Sequence, residues 1–118
     1  MDKYQMADKL AFLLECAENG IRVKDIPGFE DRYAILDDGT VWSYITKKFL
    51  KPFVNYKGYH IYNLTGEHSF QYNKRANILV AEAFCEKPEG WNSEWDAAHI
   101  DSNPANNDYR NIKWQTRS

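Results

Sequence analysis

The chain has 118 residues, 43% hydrophobic and 15% aromatic, which suits one domain with a modest core. No apolar run is long enough to span a bilayer and no signal-peptide pattern opens the chain, so no helical membrane protein is expected and a cytoplasmic one is. Two distant cysteines, Cys16 and Cys85, and three scattered histidines argue against a disulfide framework or a structural zinc site, and the net charge of −2 gives no overall attraction to polyanions.

Residues 2–19 read as an amphipathic helix. Met6, Leu10, Leu13, Leu14 and Ala17 recur at helical spacing, and Tyr4 and Phe12 widen the stripe. Asp2 is the expected N-cap, and Asn19-Gly20 the stop signal. The stripe is predicted to pack on the protein's own sheet, the alternative being a docking face for another protein or a second copy. Pro27-Gly28 is a turn. Residues 33–36 and 40–44 then read as two short strands joined by an Asp38-Gly39 hairpin turn.

The charge is unevenly spread. Residues 41–80 hold six basic side chains and one acidic one, between two acidic thirds. Such an island is where a phosphate backbone would be expected to lie. Residues 45–58 are turn-rich and supply Lys47, Lys48, Lys51 and Lys57. Residues 59–64 alternate as a strand, with His60, Tyr62 and Leu64 on one face. Thr65-Gly66 turns the chain and 69–72 returns it as a second hairpin, followed by Lys74 and Arg75. These six cations are the candidate phosphate contacts, beside rings that either stack on a ligand or pair across strands. Residues 74–85 form a second helix with Leu79, Val80, Ala83 and Phe84 facing the core, and 87–96 form a polar loop with Trp91 and Trp95.

Residues 98–114 are the densest chemical stretch, with His99, Asp101 and four asparagines. Short polar side chains of this kind bond to nearby backbone, which predicts a self-bonded loop between two short strands. His99 lies on the first strand and Asn111 leads the second. The order His99-Ile100-Asp101-Ser102, Asn106-Asn107 and Asn111-Ile112-Lys113-Trp114 resembles the HNH endonucleases, the ββα-metal or His-Me finger nucleases of phage and homing type. There a His is followed by Asp-Gly, then Asn-Asn, then Asn-Leu-x-Trp. Residues 26–44, with Ile26-Pro27-Gly28-Phe29-Glu30 and Gly39-Thr40-Val41-Trp42-Ser43, resemble the module found beside HNH domains, which serves DNA contact. The second helix is similar to the helix that precedes the HNH loop, with Asn77 where the family often has His.

The resemblance implies an α+β fold: an N-terminal amphipathic helix (1–20), a DNA-binding hairpin module (26–58) and an HNH-like domain (59–118) ending in a truncated finger. It implies double-stranded DNA as partner, with no membrane, and the host cytoplasm as location for a phage protein. It implies metal-assisted hydrolysis of a phosphodiester, with His99 as general base and Asn111 both supporting the hairpin and serving as the metal ligand for a divalent ion, Mg2+ by expectation. Asp101, Asn106, Asn107 and Trp114 are then architectural. Three departures stand against this. Ala98 occupies the position of a usual Asp or Asn metal ligand, Asn77 replaces a common His, and the chain stops at Gln115-Thr116-Arg117-Ser118 where a helix carrying a further ligand is usual. The competing expectations are a cleavage-deficient DNA-binding protein of the same fold, and a small phage effector that binds a host protein through residues 2–19.

Overall fold

The computed structural model describes residues 2–117. The fold is α+β, built from two helices and three antiparallel sheets. Helix α1 spans Lys3–Glu18. Its start is closed by a capping box in which Gln5 N donates to Asp2 Oδ1 at 2.8 Å and Asp2 N donates to Gln5 Oε1 at 3.1 Å. These two bonds satisfy donors that the first helical turn leaves free.

The first sheet holds β1 (Val23–Asp25), β2 (Tyr33–Leu36), β3 (Val41–Ser43) and β4 (Lys48–Phe49) in that spatial order. All four residues of β2 are buried, because the strand is covered on both faces. The second sheet holds β5 (Phe53–Val54), β6 (His60–Thr65) and β7 (Gln71–Arg75), and the third is the pair β8 (Asp96–His99) and β9 (Ile112–Gln115). Helix α2 (Ala76–Phe84) packs on β2, β6, β7, β8 and β9, so one short apolar helix joins all three sheets. The core around it is built from Ile26, Ile35, Val41, Leu64, Leu79, Val80, Ala97, Ile112 and Trp114.

Several expectations are corrected. The sequence reading has no strand at 23–25 and treats 45–58 as turns, but β1, β4 and β5 form there. They are two or three residues long, too short for alternation to be legible. The second hairpin is wider than expected: a 3-10 turn at Glu67–Ser69 intervenes, β7 runs on to Arg75, and α2 starts only at Ala76.

The larger correction concerns α1. Its docked face is Lys9, Phe12, Leu13 and Cys16, whereas Tyr4, Met6, Leu10 and Leu14 stay exposed. Two specific contacts outweigh the aliphatic stripe. Phe12 stacks on Trp42 with centroids 4.4 Å apart and planes 5° from parallel. Lys9 Nζ reaches Asp25 Oδ2 at 2.7 Å, Asp25 also accepts from the Tyr44 hydroxyl at 2.7 Å, and Lys9 lies over the Tyr44 ring. Both cysteines are free thiols, Cys16 buried and Cys85 half-buried, and burial pushes both thiol pKa values up, away from the reactive thiolate. No helix among the described residues is long and apolar enough to cross a membrane.

Candidate functional site

β8 and β9 pair with Ala97 opposite Trp114 and His99 opposite Ile112. These four residues share one face of the pair, and Ala97, Ile112 and Trp114 are buried against α2. His99 is the last residue of that inward row. The strand ends there, and the half-buried ring lines an open cleft of about 360 Å³ with Lys57, Tyr59, Asp96, Ala98, Ser102 and Pro104.

The loop from His99 to Asn111 is tied to itself. Asp101 N donates to Asn111 Oδ1 at 3.1 Å, and Asn111 Nδ2 donates to Asp101 Oδ1 at 2.9 Å and to the Asn106 carbonyl at 2.9 Å. Asn106 Nδ2 donates to Asp101 Oδ2 at 3.0 Å, and Asn103 N donates to Asp101 Oδ1 at 2.8 Å. The bonds from Asn106, the Asn103 amide and Asn111 hold the Asp101 carboxyl below the usual carboxylate range, so it stays an acceptor. Ile100 N donates to the Asn111 carbonyl at 2.7 Å and closes the neck. Trp114 sits beneath, its ring 5.3 Å from that of Trp91.

His99 is gripped from inside the loop. Its Nε2 lies 2.8 Å from Asn107 Oδ1, and Asn107 is only 5% exposed. Asn107 Nδ2 faces the Pro104 carbonyl at 3.4 Å, which fixes the amide with its oxygen toward the imidazole. With the Asn107 oxygen toward the ring, the neutral imidazole that completes this bond carries its proton on Nε2 and leaves the Nδ1 lone pair free.

One wall of the cleft escapes the sequence reading. The Tyr59 ring lies 5.9 Å from the His99 ring, Arg75 lies 5.3 Å over Tyr59, and Arg75 Nη2 bonds Asp96 Oδ1 at 2.9 Å. The six candidate cations separate accordingly. Lys57 lines the His99 cleft and Arg75 backs its wall. Lys48, Lys51 and Lys74 are exposed on or beside the strands. Lys47 instead pairs with Asp8 of α1 at 2.6 Å and lines a different hollow with Trp42 and Tyr44.

The cleft offers few donors to a divalent cation. Ala98 offers no donor, Asp96 Oδ1 is bonded to Arg75, and the Asn111 amide is taken up by three loop bonds. Among the described residues no cluster of three His, Cys, Asp or Glu side chains could hold a metal. A hard cation needs several oxygen or imidazole ligands, and these residues do not fit one on their own.

Residues 24–65, from β1 to the end of β6, match the NUMOD4 motif. An uncharacterized HNH endonuclease of Acanthamoeba polyphaga mimivirus is 31% identical over 101 residues, 84% of this chain and 28% of that protein. DNA endonuclease I-HmuI of Bacillus phage SP01 is 33% identical over 97 residues, 80% of this chain and 52% of I-HmuI. The solved structure describing DNA binding and cleavage by the HNH homing endonuclease I-HmuI superposes with a TM-score of 0.73 over 80% of this chain and 52% of that one. Over about four fifths of its length this chain is similar to HNH endonucleases. It spans about half of I-HmuI and 28% of the mimivirus protein. The NUMOD4 match reaches past the 26–44 module legible in the sequence and takes in β4, β5 and β6. The HNH-like loop therefore faces a wall that the NUMOD4 segment itself supplies, through Lys57 and Tyr59.

Proposed function

We propose that the chain is an HNH-type DNA endonuclease of the phage or homing kind, in which His99 is the general base. The observation that carries this reading is the Asn107 bond to His99 Nε2, which leaves Nδ1 free beside a cleft edged by Lys57. In this reading a water in the cleft gives its proton to Nδ1 as its oxygen attacks the phosphorus. The P–O bond to the sugar breaks, and the leaving oxygen takes a proton from solvent. Lys57 attracts the phosphate, and Lys48, Lys51 and Lys74 follow the duplex backbone, with Lys47 and Arg75 already paired to Asp8 and Asp96. Asn111, Asp101 and Asn106 hold the loop, and Trp114 anchors it to the core. The division into 1–20, 26–58 and 59–118 belongs to the same proposal. A divalent ion such as Mg2+ would neutralise charge at the scissile phosphate, and with Ala98 and a fully bonded Asn111 the chain's own donors do not hold one.

Ala98 favours a second reading, a DNA-binding protein of the same fold that does not cleave. Two assays separate them. Binding of a duplex in a gel shift, weakening with salt, is expected under both, and no binding at low salt would overturn both. Nicking of plasmid DNA in Mg2+ or Mn2+ is expected only under the first, and its absence at full occupancy would overturn that one.

A further inference from the structure

The β2–β3 turn and the His99 loop meet at one point. Gly39 sits in that turn with φ +90°, and a Cβ placed on it would stand 2.5 Å from Asn107 Cβ and 2.9 Å from the Asn107 carbonyl oxygen. Real atoms do not approach that closely, so only glycine lets the turn close on Asn107. The turn is held in place from behind. The buried Tyr62 hydroxyl of β6 donates to the Gly39 carbonyl at 3.0 Å, and burial pushes its pKa up to about 12, so it remains a donor at ordinary pH. A second tie runs alongside, from Tyr109 N to the Asp37 carbonyl at 2.7 Å, with the Arg22 guanidinium 4.9 Å over the Tyr109 ring. Asn107 is thus clamped between a rigid turn and the imidazole it holds.

We propose that the β2–β3 turn is the seat that orients His99, with Gly39 and Asn107 as positioning residues. Gly39 admits the backbone and side-chain root of Asn107, and Asn107 Oδ1 fixes both the ring orientation and the tautomer of His99. The hairpin of the NUMOD4 segment is then part of the machinery that sets the base, in addition to any contact it makes with DNA. The inference rests on the reading of His99 as the base. Its physical content, the control of the imidazole by a turn sixty residues away, is measurable without any cleavage.

The test is ring-nitrogen NMR of His99 in the full chain, with nicking measured in parallel. Four variants are compared: Gly39→Ala, Gly28→Ala, Asn107→Leu and Asn107→Asp. Gly28 has φ +85° and nothing within 4 Å of a Cβ, so Gly28→Ala carries the backbone strain without the collision. Wild type, Gly28→Ala and Asn107→Asp are expected to keep the Nε2-protonated tautomer, since a carboxylate can still accept that proton. Gly39→Ala and Asn107→Leu are expected to give mixed tautomers and to lose about tenfold or more in nicking, the scale on which small misplacements act. Failure of Gly39→Ala to fold while Gly28→Ala folds would support the seat, and Asn107→Leu would then decide its effect on the imidazole. A tautomer unchanged in Asn107→Leu, or a Gly39→Ala protein matching Gly28→Ala in stability and spectrum, overturns the proposal. Variant-dependent tautomers in a chain that never nicks DNA would overturn the nuclease reading and leave the seat standing.

Discussion

Asn77, 1% exposed on the first turn of α2, donates its Nδ2 to the Ala97 carbonyl of β8 at 2.9 Å. This bond ties the central helix to the strand that ends in His99. Asn77 is thus a buried amide serving the backbone. Asn77→Leu removes the donor and leaves that carbonyl without its side-chain partner, which costs about 1–3 kcal/mol. Urea unfolding is expected to show a midpoint lowered accordingly, and a loss under about 0.5 kcal/mol, the range of an ordinary surface change, would contradict the assignment.

The face on which α1 docks makes a contrasting pair of predictions. Phe12 stacks on Trp42, whereas Leu10 is 58% exposed. Phe12→Ala is expected to destabilise by about 1–3 kcal/mol and to change Trp42 fluorescence, a large-to-small loss at a half-buried site. Leu10→Asp is expected to stay within about 0.5 kcal/mol of wild type, as exposed positions do. The opposite order would mean that the Met6–Leu10–Leu14 stripe is the packed one.

The cations are predicted to differ in their share of DNA binding. Each of Lys51→Ala, Lys57→Ala and Lys74→Ala should weaken binding and lower the slope of log affinity against log salt by about 1. Lys47→Ala should move the slope less, because that ammonium is already held by Asp8. Gel shifts across a salt series measure this directly, and equal slopes for all four variants would remove the distinction.

Acid should open the loop. The bonds from Asn106, the Asn103 amide and Asn111 hold the Asp101 carboxyl below its ordinary value. Its folded-state pKa is below its unfolded one, so its stabilisation is fully present above the unfolded value near pH 4 and is lost as pH falls through the folded value. The side-chain amide signals of Asn106 and Asn111 should therefore lose their dispersion only below about pH 4. In Asp101→Asn the same signals should be displaced at neutral pH already. Signals that shift between pH 7 and pH 5 would contradict the mechanism.

Much of this was legible in the sequence, for physical reasons that differ by element. The α1 cap was readable because a capping box needs only Asp2 and Gln5, three residues apart. The placement of His99 on one strand and Asn111 before the next followed from side chains that bond locally. What stayed hidden was set by distant partners. The docked face of α1 depends on Trp42 and Asp25, which no helical periodicity reports. The wall of Tyr59, Arg75 and Asp96 brings together a loop and two strands, and the contact of Gly39 with Asn107 joins residues of two separate sheets' turns. Gly39 was readable as a hairpin glycine, but its collision partner was not. β1, β4 and β5 owe their pairing to neighbouring strands and leave little trace in their own two or three residues.

The proposed cleavage turns on His99 removing the proton from the attacking water. It is tested most directly by single-turnover nicking of supercoiled plasmid in Mg2+, with wild type and His99→Ala compared at saturating protein. Equal DNA affinity is expected, with a rate for His99→Ala lower by about 10²–10⁴, the usual contribution of a general base. Equal rates in the two proteins would contradict it.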